Sequence, residues 1–234
     1  MQILSGANAI YRIPINRDQG GCQNLIQRVF RYGVGPSPEL TNETSEDVSF
    51  VVSGAGEVVV GGQTHALTPG AGLLIPPGAP YRFFNPGPAP LELVSVLSPQ
   101  PGHEASVPPS PKSQPITKLI VHESEEQSLP AGDDRYFKLM IDPRYGSRYV
   151  TQFVGFIDKS RAPLHTHPYE EAIYILGGEG IVHIEDQHLP IRAGSSIYLP
   201  PGTPHCLENA GPETLRLLGV FCPAGSPADK KDEE

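Results

Sequence analysis

Four side chains in the second half of the chain have the types and the spacing of a transition-metal site. His165 and His167 are separated by one residue, and Glu171 follows four positions after His167. Alternate side chains of a strand share a face, so the two imidazoles point the same way, and a hairpin at residues 168–169 would bring Glu171 to them. His205 follows a Pro-Pro-Gly turn. Three imidazoles and one carboxylate suit a divalent transition metal and leave coordination positions for water or a substrate.

The turns around these residues distinguish a metal site from its ordinary alternative, a His-x-His pair on a strand surface. The apolar run after Glu171 ends in Gly177 and Gly178, and another turn rich in glycine and proline precedes His205. The spacing resembles both signature motifs of the cupin superfamily: His-x-His, three residues, Glu, six residues, Gly; and Gly, five residues, Pro-x-Gly, two residues, His, three residues, Asn. Every position of the two motifs is filled, by His165, His167, Glu171, Gly178, Gly194, Pro200, Gly202, His205 and Asn209.

This resemblance implies a fold, a cofactor and a range of activities. Double cupins similar to this chain include dioxygenases acting on aromatic or enolic substrates, decarboxylases, aminohydrolases and isomerases. They commonly hold Mn, Fe, Ni or Zn, so the resemblance implies a divalent transition metal at the motif residues. The aminohydrolases of ureide breakdown carry Glu-x-His where this chain has His165-Thr166-His167, and the resemblance does not extend to their activity.

An internal repeat determines the predicted architecture. Residues 49–96 match residues 173–220 without a gap, so that Gly178 lies 124 positions after Gly54 and Gly202 lies 124 positions after Gly78. Each copy has the short β-branched runs and tight turns of one small β-barrel. We therefore predict an all-β fold of two tandem cupin barrels, of the double-stranded β-helix or jelly-roll type.

The predicted domain boundaries follow from the repeat and from composition. An N-terminal cupin spans residues 1–97, a linker rich in Pro and Ser spans 98–118, a C-terminal cupin spans 119–224, and a charged, disordered tail spans 225–234. Residues 116–122 have the pattern of a strand. Closed β-units often exchange such strands, so this one can belong to the other barrel.

The two copies differ in their chemistry. The positions that correspond to the metal set are Thr41, Glu43, Asp47 and Tyr81, which form a degenerate version of the site. A first-row metal binds weakly without imidazole donors. We therefore predict one metal per chain, held by the C-terminal barrel, and a structural or lid role for the N-terminal barrel.

Several residues near the motif have weaker assignments. Ile173 and Ile175 share the strand phase of Glu171, so they are predicted to line the pocket together with Leu207. No Ser or Cys stands near a base at a spacing that indicates a nucleophile, so any catalysis is predicted to be metal-centred. Glu170 is a weak candidate for a catalytic base, and a turn-exposed glutamate is its more common role.

Three arginines precede the metal motif, namely Arg144, Arg148 and Arg161. They form either a solvated rim or an anchor for a substrate carboxylate, which a guanidinium can bind through two parallel hydrogen bonds. His183 is predicted to be an inter-sheet or rim histidine rather than a ligand, and His188 is predicted to be exposed.

Composition limits the partners and the compartment. The 234-residue chain has a formal net charge of −9, which disfavours nucleic acid and anionic membranes as partners. No apolar run reaches the ~18 residues of a membrane-spanning helix, and the N-terminus does not resemble a signal peptide. Three cysteines, an odd number, indicate a reducing compartment, so we expect a cytoplasmic protein. Unpaired strand edges would allow a homodimer.

Three hypotheses for the function follow from the sequence. The first is a metal-dependent enzyme of the dioxygenase type that acts on a small organic molecule in the C-terminal barrel. The second is a lyase, isomerase or hydrolase that uses the metal as a Lewis acid without redox chemistry. The third is a non-catalytic protein that binds a small molecule. Apolar pocket walls with few polar groups favour a small, partly apolar ligand in each case.

Overall fold

The computed structural model describes residues 2–3, 9–132, 134–228 and 231–232. These residues form two β-barrels, as the repeat predicts. The strands of the N-terminal barrel are β1 (Gln2–Ile3), β2 (Ala9–Ile15), β3 (Ile26–Tyr32), β4 (Gly35–Pro36), β5 (Glu46–Ser53), β6 (Gly56–Val60), β7 (Gln63–Leu67), β8 (Ala71–Ile75), β9 (Tyr81–Asn85), β10 (Leu91–Ser98) and β11 (Ile120–His122).

The C-terminal barrel follows the same plan. Its strands are β12 (Leu129–Gly132), β13 (Arg135–Leu139), β14 (Thr151–Ile157), β15 (His165–Thr166), β16 (Glu170–Gly177), β17 (Glu179–Ile184), β18 (Gln187–Arg192), β19 (Ser196–Leu199), β20 (His205–Asn209), β21 (Leu215–Cys222) and β22 (Lys231–Asp232). Two single-turn 3-10 helices, Glu123–Glu125 and Pro143–Tyr145, lie in the connections. No helix in the described ranges is long and apolar enough to span a membrane.

Each barrel consists of a large and a small antiparallel sheet. The strand orders in the N-terminal barrel are β1-β2-β3-β10-β5-β8-β11 and β4-β9-β6-β7. In the C-terminal barrel they are β12-β13-β14-β21-β16-β19 and β18-β17-β20-β15-β22. The sequence repeat therefore has a structural counterpart, since β5, β8 and β10 correspond to β16, β19 and β21.

The two large sheets pack against each other through the faces that point away from the barrel interiors. Val48 and Phe50 of β5 lie in this contact together with Ala172 and Tyr174 of β16, within one buried apolar cluster. The residues between them point into their own barrels. Both faces of these strands are therefore buried, which explains why each strand is a nearly continuous apolar run.

Two buried glutamates at corresponding positions each hold a loop of the opposite barrel. Glu46 accepts three hydrogen bonds of 2.7–2.8 Å from loop 147–149. Glu170, 124 positions later, accepts the backbone N–H groups of loop 22–24 and the hydroxyl of Tyr198. We call these two residues the glutamate clasps. They satisfy buried backbone donors that the interface between the barrels would otherwise leave unpaired.

Several motif positions serve the backbone rather than the metal. The Nδ2 of Asn209 donates to three main-chain carbonyls at 2.7–3.0 Å, and that of Asn85 donates to two, at 2.9 and 3.0 Å. Gly178 has a φ of +78°, and a Cβ there would lie 2.8 Å from the Thr214 carbonyl oxygen. Because these requirements belong to the fold, both copies of the repeat retain these residues.

The chain crosses between the barrels beyond the linker. Strand β11 pairs with β8 in the large sheet of the N-terminal barrel. The predicted boundary at residue 119 assigns β11 to the C-terminal cupin, whereas the structure places it in the N-terminal barrel. The linker itself is anchored, because Gln100 is buried and its Nε2 donates to the Cys22 carbonyl at 2.7 Å.

The tail is described in part. Residues 231–232 pair with residues 165–166 at the edge of the small sheet. Residues 229–230 and 233–234 lie outside the described residues. The predicted disorder of residues 225–234 as a whole therefore stays a prediction.

Candidate metal centre

Strands β15, β16 and β20 bring the predicted metal ligands together inside the C-terminal barrel. His165 pairs in register with His205, and His167 follows directly after β15. One ring nitrogen from each of these three histidines lies within 4.8 Å of the others. Glu171 comes from β16 of the opposite sheet, and its Oε2 lies 3.6 Å from the Nε2 of His205. The structure therefore gathers the three histidines around one point, and Glu171 adjoins this cluster at His205.

Hydrogen bonds orient two of the imidazoles. The Nδ1 of His165 lies 2.8 Å from the Pro163 carbonyl oxygen, and the Nδ1 of His205 lies 2.9 Å from that of Thr203. A carbonyl oxygen can only accept, so each Nδ1 carries a proton and each Nε2 keeps its lone pair. Metal-binding histidines typically have this arrangement, because the hydrogen bond to Nδ1 holds the ring and strengthens Nε2 as a ligand.

One carboxylate oxygen of Glu171 lacks, within the described part of the chain, a hydrogen-bond partner that its burial requires. Its side chain is buried, and Oε2 has no hydrogen-bond partner among the described residues. Burial disfavours the charged carboxylate and raises the pKa of Glu171 to about 8. Burial also disfavours the imidazolium of His205 and lowers its pKa to about 4. A cation bound between these groups would supply the missing partner, so the donor set fits a divalent transition metal.

Replacing Glu171 by glutamine should make the stability of the metal-free protein less dependent on pH. The raised pKa of Glu171 means that the folded state binds more protons than the unfolded state from about pH 4.5 to about pH 8. The metal-free protein therefore loses stability as the pH rises through this range. His205 acts in the opposite sense, but only between its folded value of about 4 and its ordinary value of 6.5. The window from pH 6.5 to 8 lies above the range of His205, and the comparison with the Glu171→Gln protein separates Glu171 from Glu46, whose pKa burial also raises.

We expect chelated wild-type protein to lose about 1.5 kcal/mol of unfolding free energy between pH 6.5 and pH 8. Urea denaturation of the chelated proteins at both pH values checks this. The Glu171→Gln protein should show a much smaller loss. Equal losses in the two proteins would contradict the assignment of an unpartnered carboxyl group to Glu171.

An apolar cavity of about 100 Å³ opens onto the cluster. Ile173 and Leu207 line it, whereas Ile175 does not and packs deeper in the core of the same barrel. Most of the remaining wall is aromatic and aliphatic, and includes Phe137, Phe153, Phe156, Ile157, Leu217 and Phe221. The cavity is smaller than the ~300–1,000 Å³ of drug-sized ligand sites, so it suits a small molecule.

Arg135 is a charged residue of the cavity wall that the sequence analysis did not identify. Its Nε is buried and has no hydrogen-bond partner among the described residues. The alternation of side chains along β13 could have identified Arg135. Arg135, Phe137 and Leu139 lie on the same face of this strand, and Phe137 is buried. A guanidinium donor without an acceptor among the described residues thus lies in the wall of the same cavity as the three clustered histidines.

The three arginines considered as substrate anchors lie outside this cavity wall. Arg144 binds the carboxylate of Asp142 through its Nε, at 2.8 Å. Arg148 lies over the ring of Tyr149. Arg161 directs its Nε at the sulfur of Cys206, at 3.4 Å. None of these three arginines is therefore placed to anchor a substrate carboxylate in this cavity.

Other polar residues near the motif also point away from the cavity. Glu170, the weak candidate for a base, is a glutamate clasp between the barrels and is buried rather than turn-exposed. His183 lies between His188 and Glu208, with 2.8 Å from its ring nitrogens to each partner. Cys206 is buried and free, as are the other two cysteines. The geometry therefore provides no protein nucleophile at the cluster from among these residues.

The N-terminal barrel holds a salt bridge at the corresponding place. Asp47, the counterpart of Glu171, accepts from Arg28 Nη2 at 2.7 Å. Its carboxylate also accepts from Ser49, Ser95 and the hydroxyl of Tyr81 at 2.8–3.3 Å. The other two degenerate positions, Thr41 and Glu43, are exposed at the surface. The partly buried guanidinium of Arg28 thus neutralises the buried carboxylate of Asp47 without a metal.

A single exchange across the sheet accounts for much of this difference. Arg28 pairs with Ser95 in the N-terminal barrel, and Phe153 pairs with Gly219 at the corresponding place in the C-terminal barrel. The absence of a side chain at Gly219 leaves room for the ring of Phe153, which lines the metal cavity. The N-terminal barrel therefore places the guanidinium of Arg28 beside its carboxylate, whereas the C-terminal barrel places the apolar ring of Phe153 at the corresponding position.

Comparisons with known proteins agree with this construction. The family model described as "Cupin domain" matches residues 28–97 and 155–221, which together exceed half of the chain. The chain is a cupin. Because both barrels are matched, this cupin has two domains, each with the fold that the sequence repeat predicts.

Two curated relatives resemble part of this cupin. An uncharacterized protein of Methanocaldococcus jannaschii is 38% identical over 71 residues, which are 30% of this chain and 57% of that protein. The oxalate-binding protein of Thermotoga maritima is 40% identical over 63 residues, which are 26% of this chain and 52% of that protein. The chain thus spans about half the length of these relatives.

A solved structure extends the similarity to nearly the whole cupin. The oxalate decarboxylase of Lactobacillus farciminis, in a formate complex, has a TM-score of 0.76 and 16% sequence identity. The match covers 98% of this chain and 87% of that chain. At this identity the likeness shows a common fold of two cupin domains.

Proposed function

We propose that the C-terminal barrel binds one divalent transition metal and acts on a small organic acid. The observation that carries this proposal is a single cavity lined by three clustered imidazoles, by a buried carboxylate with one oxygen unpaired among the described residues, and by a guanidinium, between apolar walls. When bound, a divalent ion supplies a Lewis acid, and Fe or Mn also supplies redox chemistry. His165, His167, Glu171 and His205 would hold it.

The charges of the cavity favour an anionic substrate. A divalent ion with one carboxylate ligand and three neutral imidazoles leaves a net charge of about +1. The guanidinium of Arg135 adds a further positive charge beside it. The apolar wall keeps water away from both charges, which strengthens their attraction for a carboxylate. Arg135 would therefore orient the acid by donating hydrogen bonds from its guanidinium to the carboxylate of the acid.

The comparisons support oxalate as the first acid to test. The names of the Thermotoga maritima relative and of the Lactobacillus farciminis structure both contain oxalate. Oxalate has few non-hydrogen atoms, in keeping with a cavity of about 100 Å³. Its two carboxylates could meet the metal and Arg135 at once.

Two reaction classes remain candidates for this site. A dioxygenase-type reaction would use an oxidisable metal, and the apolar walls would protect its intermediates from water. A reaction without oxygen, such as decarboxylation, is favoured by the name of the similar solved structure. Neither class requires a separate nucleophile from the protein.

Metal analysis followed by activity assays would separate these classes. The purified protein should carry one transition metal per chain at neutral pH. Turnover of oxalate and of a panel of enolic and aromatic acids should then be measured in air and without oxygen, with Mn, Fe, Ni or Zn. Oxygen consumption coupled to turnover identifies the first class, and anaerobic turnover or turnover with Zn identifies the second. A protein that binds no metal would contradict the whole proposal.

A non-catalytic binding protein is the third candidate, and the name of the oxalate-binding relative favours it. It predicts that oxalate binds the metal-loaded protein and is recovered unchanged. Turnover of any acid that is lost in the His167→Ala protein would exclude it.

Replacing Arg135 by glutamine should weaken oxalate binding by about 10- to 100-fold, the usual contribution of a hydrogen bond to a charged group. The metal content should stay unchanged, because Arg135 is not among the clustered ligands. Titration calorimetry with the Mn-loaded protein measures the affinity. Arg161→Gln is the matched control, since Arg161 points to Cys206 rather than to the cavity, and it should bind oxalate normally. Unchanged affinity in the Arg135→Gln protein would show that the acid is not held by this guanidinium.

The proposal extends to the assembly and compartment of the protein. A homodimer through strand edges and a cytoplasmic location both stay predictions. The three cysteines of the chain are free and buried, which is compatible with a reducing compartment. Sedimentation of the purified protein would test the dimer.

A further inference from the structure

A second cavity, of about 360 Å³, lies between the two barrels and shares no lining residue with the metal cavity. We call it the inter-barrel cleft. Phe50, Val51 and Leu176 give it an apolar part. Its polar lining includes His122, Glu123, Lys138 and Arg216. The cleft thus combines an apolar wall with several converging polar groups, and such polar groups fix the orientation of a bound small molecule.

Lys138 provides a positive charge that the cleft does not neutralise. Its Nζ donates to the main-chain oxygen of Glu123 at 2.9 Å, and it forms no ion pair within the described part of the chain. The carboxylate of Glu123 is already occupied, because both of its oxygens accept from the Nη2 of Arg216, at 2.8 and 3.0 Å. With His122 neutral, the cleft therefore has an excess of one positive charge.

The internal repeat creates a second, corresponding location between the barrels, and there an arginine of the protein closes the cleft. Arg12 and Lys138 occupy corresponding places, since each lies in the strand beside β3 or β14 and in the same register. The Nη2 of Arg12 donates to the carbonyl oxygen of Gly194 at 2.7 Å. Gly70, 124 positions before Gly194, lines the open cleft. An arginine thus spans one cleft, whereas the shorter lysine leaves the other open with unused donors.

We propose that the inter-barrel cleft binds a small organic monocarboxylate with an apolar body. The carboxylate would accept hydrogen bonds from the ammonium of Lys138, and the body would pack against Phe50 and Leu176. The single excess charge matches a monoanion and would leave a phosphate dianion incompletely neutralised. This site is independent of the metal centre and does not require the proposed function.

Benzoate is a suitable probe, because it combines one carboxylate with a compact apolar ring. Titration calorimetry should be performed on the full chain, in the metal-loaded wild type and in the His205→Ala protein, which excludes binding to a loaded metal centre. We expect benzoate to bind both proteins. Lys138→Met, which keeps the aliphatic stem, should weaken binding by about tenfold or more. Lys112→Met, a change of an exposed lysine in the linker, should leave the affinity unchanged.

A second variant and a neutral ligand test the proposal independently if the Lys138→Met protein folds poorly. Leu176→Trp should abolish benzoate binding by filling the cleft, and the neutral analogue benzamide should bind more weakly than benzoate. Benzoate binding that survives Lys138→Met but disappears in His205→Ala would place it at the metal centre and overturn the proposal. Displacement of benzoate by lower concentrations of inorganic phosphate would show that the site prefers phosphate, and no binding at millimolar benzoate would show that there is no carboxylate site.

Discussion

Replacing His205 by alanine should remove most of the metal from the purified protein. His205 supplies one of three imidazoles that lie within 4.8 Å of one another, and it faces Glu171 at 3.6 Å. Without it, two imidazoles and one carboxylate remain, and metal affinity should fall by on the order of 100-fold or more. Elemental analysis after dialysis should show metal per chain falling from one to near zero.

Tyr81→Phe is the matched control for this experiment, because Tyr81 is the counterpart of His205 in the N-terminal barrel. Its hydroxyl lies 3.3 Å from Asp47, so the change should alter stability slightly and leave the metal content unchanged. Two metals per chain in the wild-type protein, or a loss of metal in Tyr81→Phe, would contradict the assignment of the metal to the C-terminal barrel alone.

Replacing Arg28 by methionine should destabilise the protein by about 3–5 kcal/mol. The change leaves the carboxylate of Asp47 buried without the guanidinium 2.7 Å away, and an uncompensated buried charge is costly. Changing Asp47 to asparagine in the same protein removes that charge and should restore much of the loss. The midpoint of urea denaturation, followed by circular dichroism, measures both effects.

Arg31→Met provides the comparison on the same strand. Arg31 faces Glu92 at 3.6 Å with 57% of its side chain exposed, so its pair should contribute less than about 1 kcal/mol. If Arg28→Met and Arg31→Met cost the same, or if the second change at Asp47 restores nothing, the salt bridge is not what holds the interior of the N-terminal barrel.

The two barrels and the metal cluster could be predicted from the sequence because they depend on local backbone geometry. Gly178 must adopt a positive φ, and Asn209 must hold three carbonyls, so these residues recur at set distances along the chain. The histidine spacing then follows from where the strands begin. The order of turn residues thus indicated both the fold and the positions of the three clustered histidines.

Residues whose surroundings come from distant strands were harder to predict. Glu170 follows a predicted turn, and a single copy of the repeat does not reveal that the other barrel covers this residue. Arg28 has no local signal either, since its partners Asp47 and Ser95 are far along the chain. Ile175 has the phase of a pocket residue, but the pairing of its strand shifts between Ile175 and Gly177, beyond the cavity.

Because β11 belongs to the sheet of the N-terminal barrel, the two barrels cannot be separated cleanly by a cut in the linker that precedes this strand. A protease nick within the exposed linker, for example near Lys112, would leave one fragment still contributing a strand to the sheet of the other. The fragments should co-elute until they are denatured. A protein truncated after residue 97 would lack β11, so the edge of β8 and the apolar outer face of its sheet would be exposed to solvent. We expect this fragment to aggregate rather than to fold as an independent barrel.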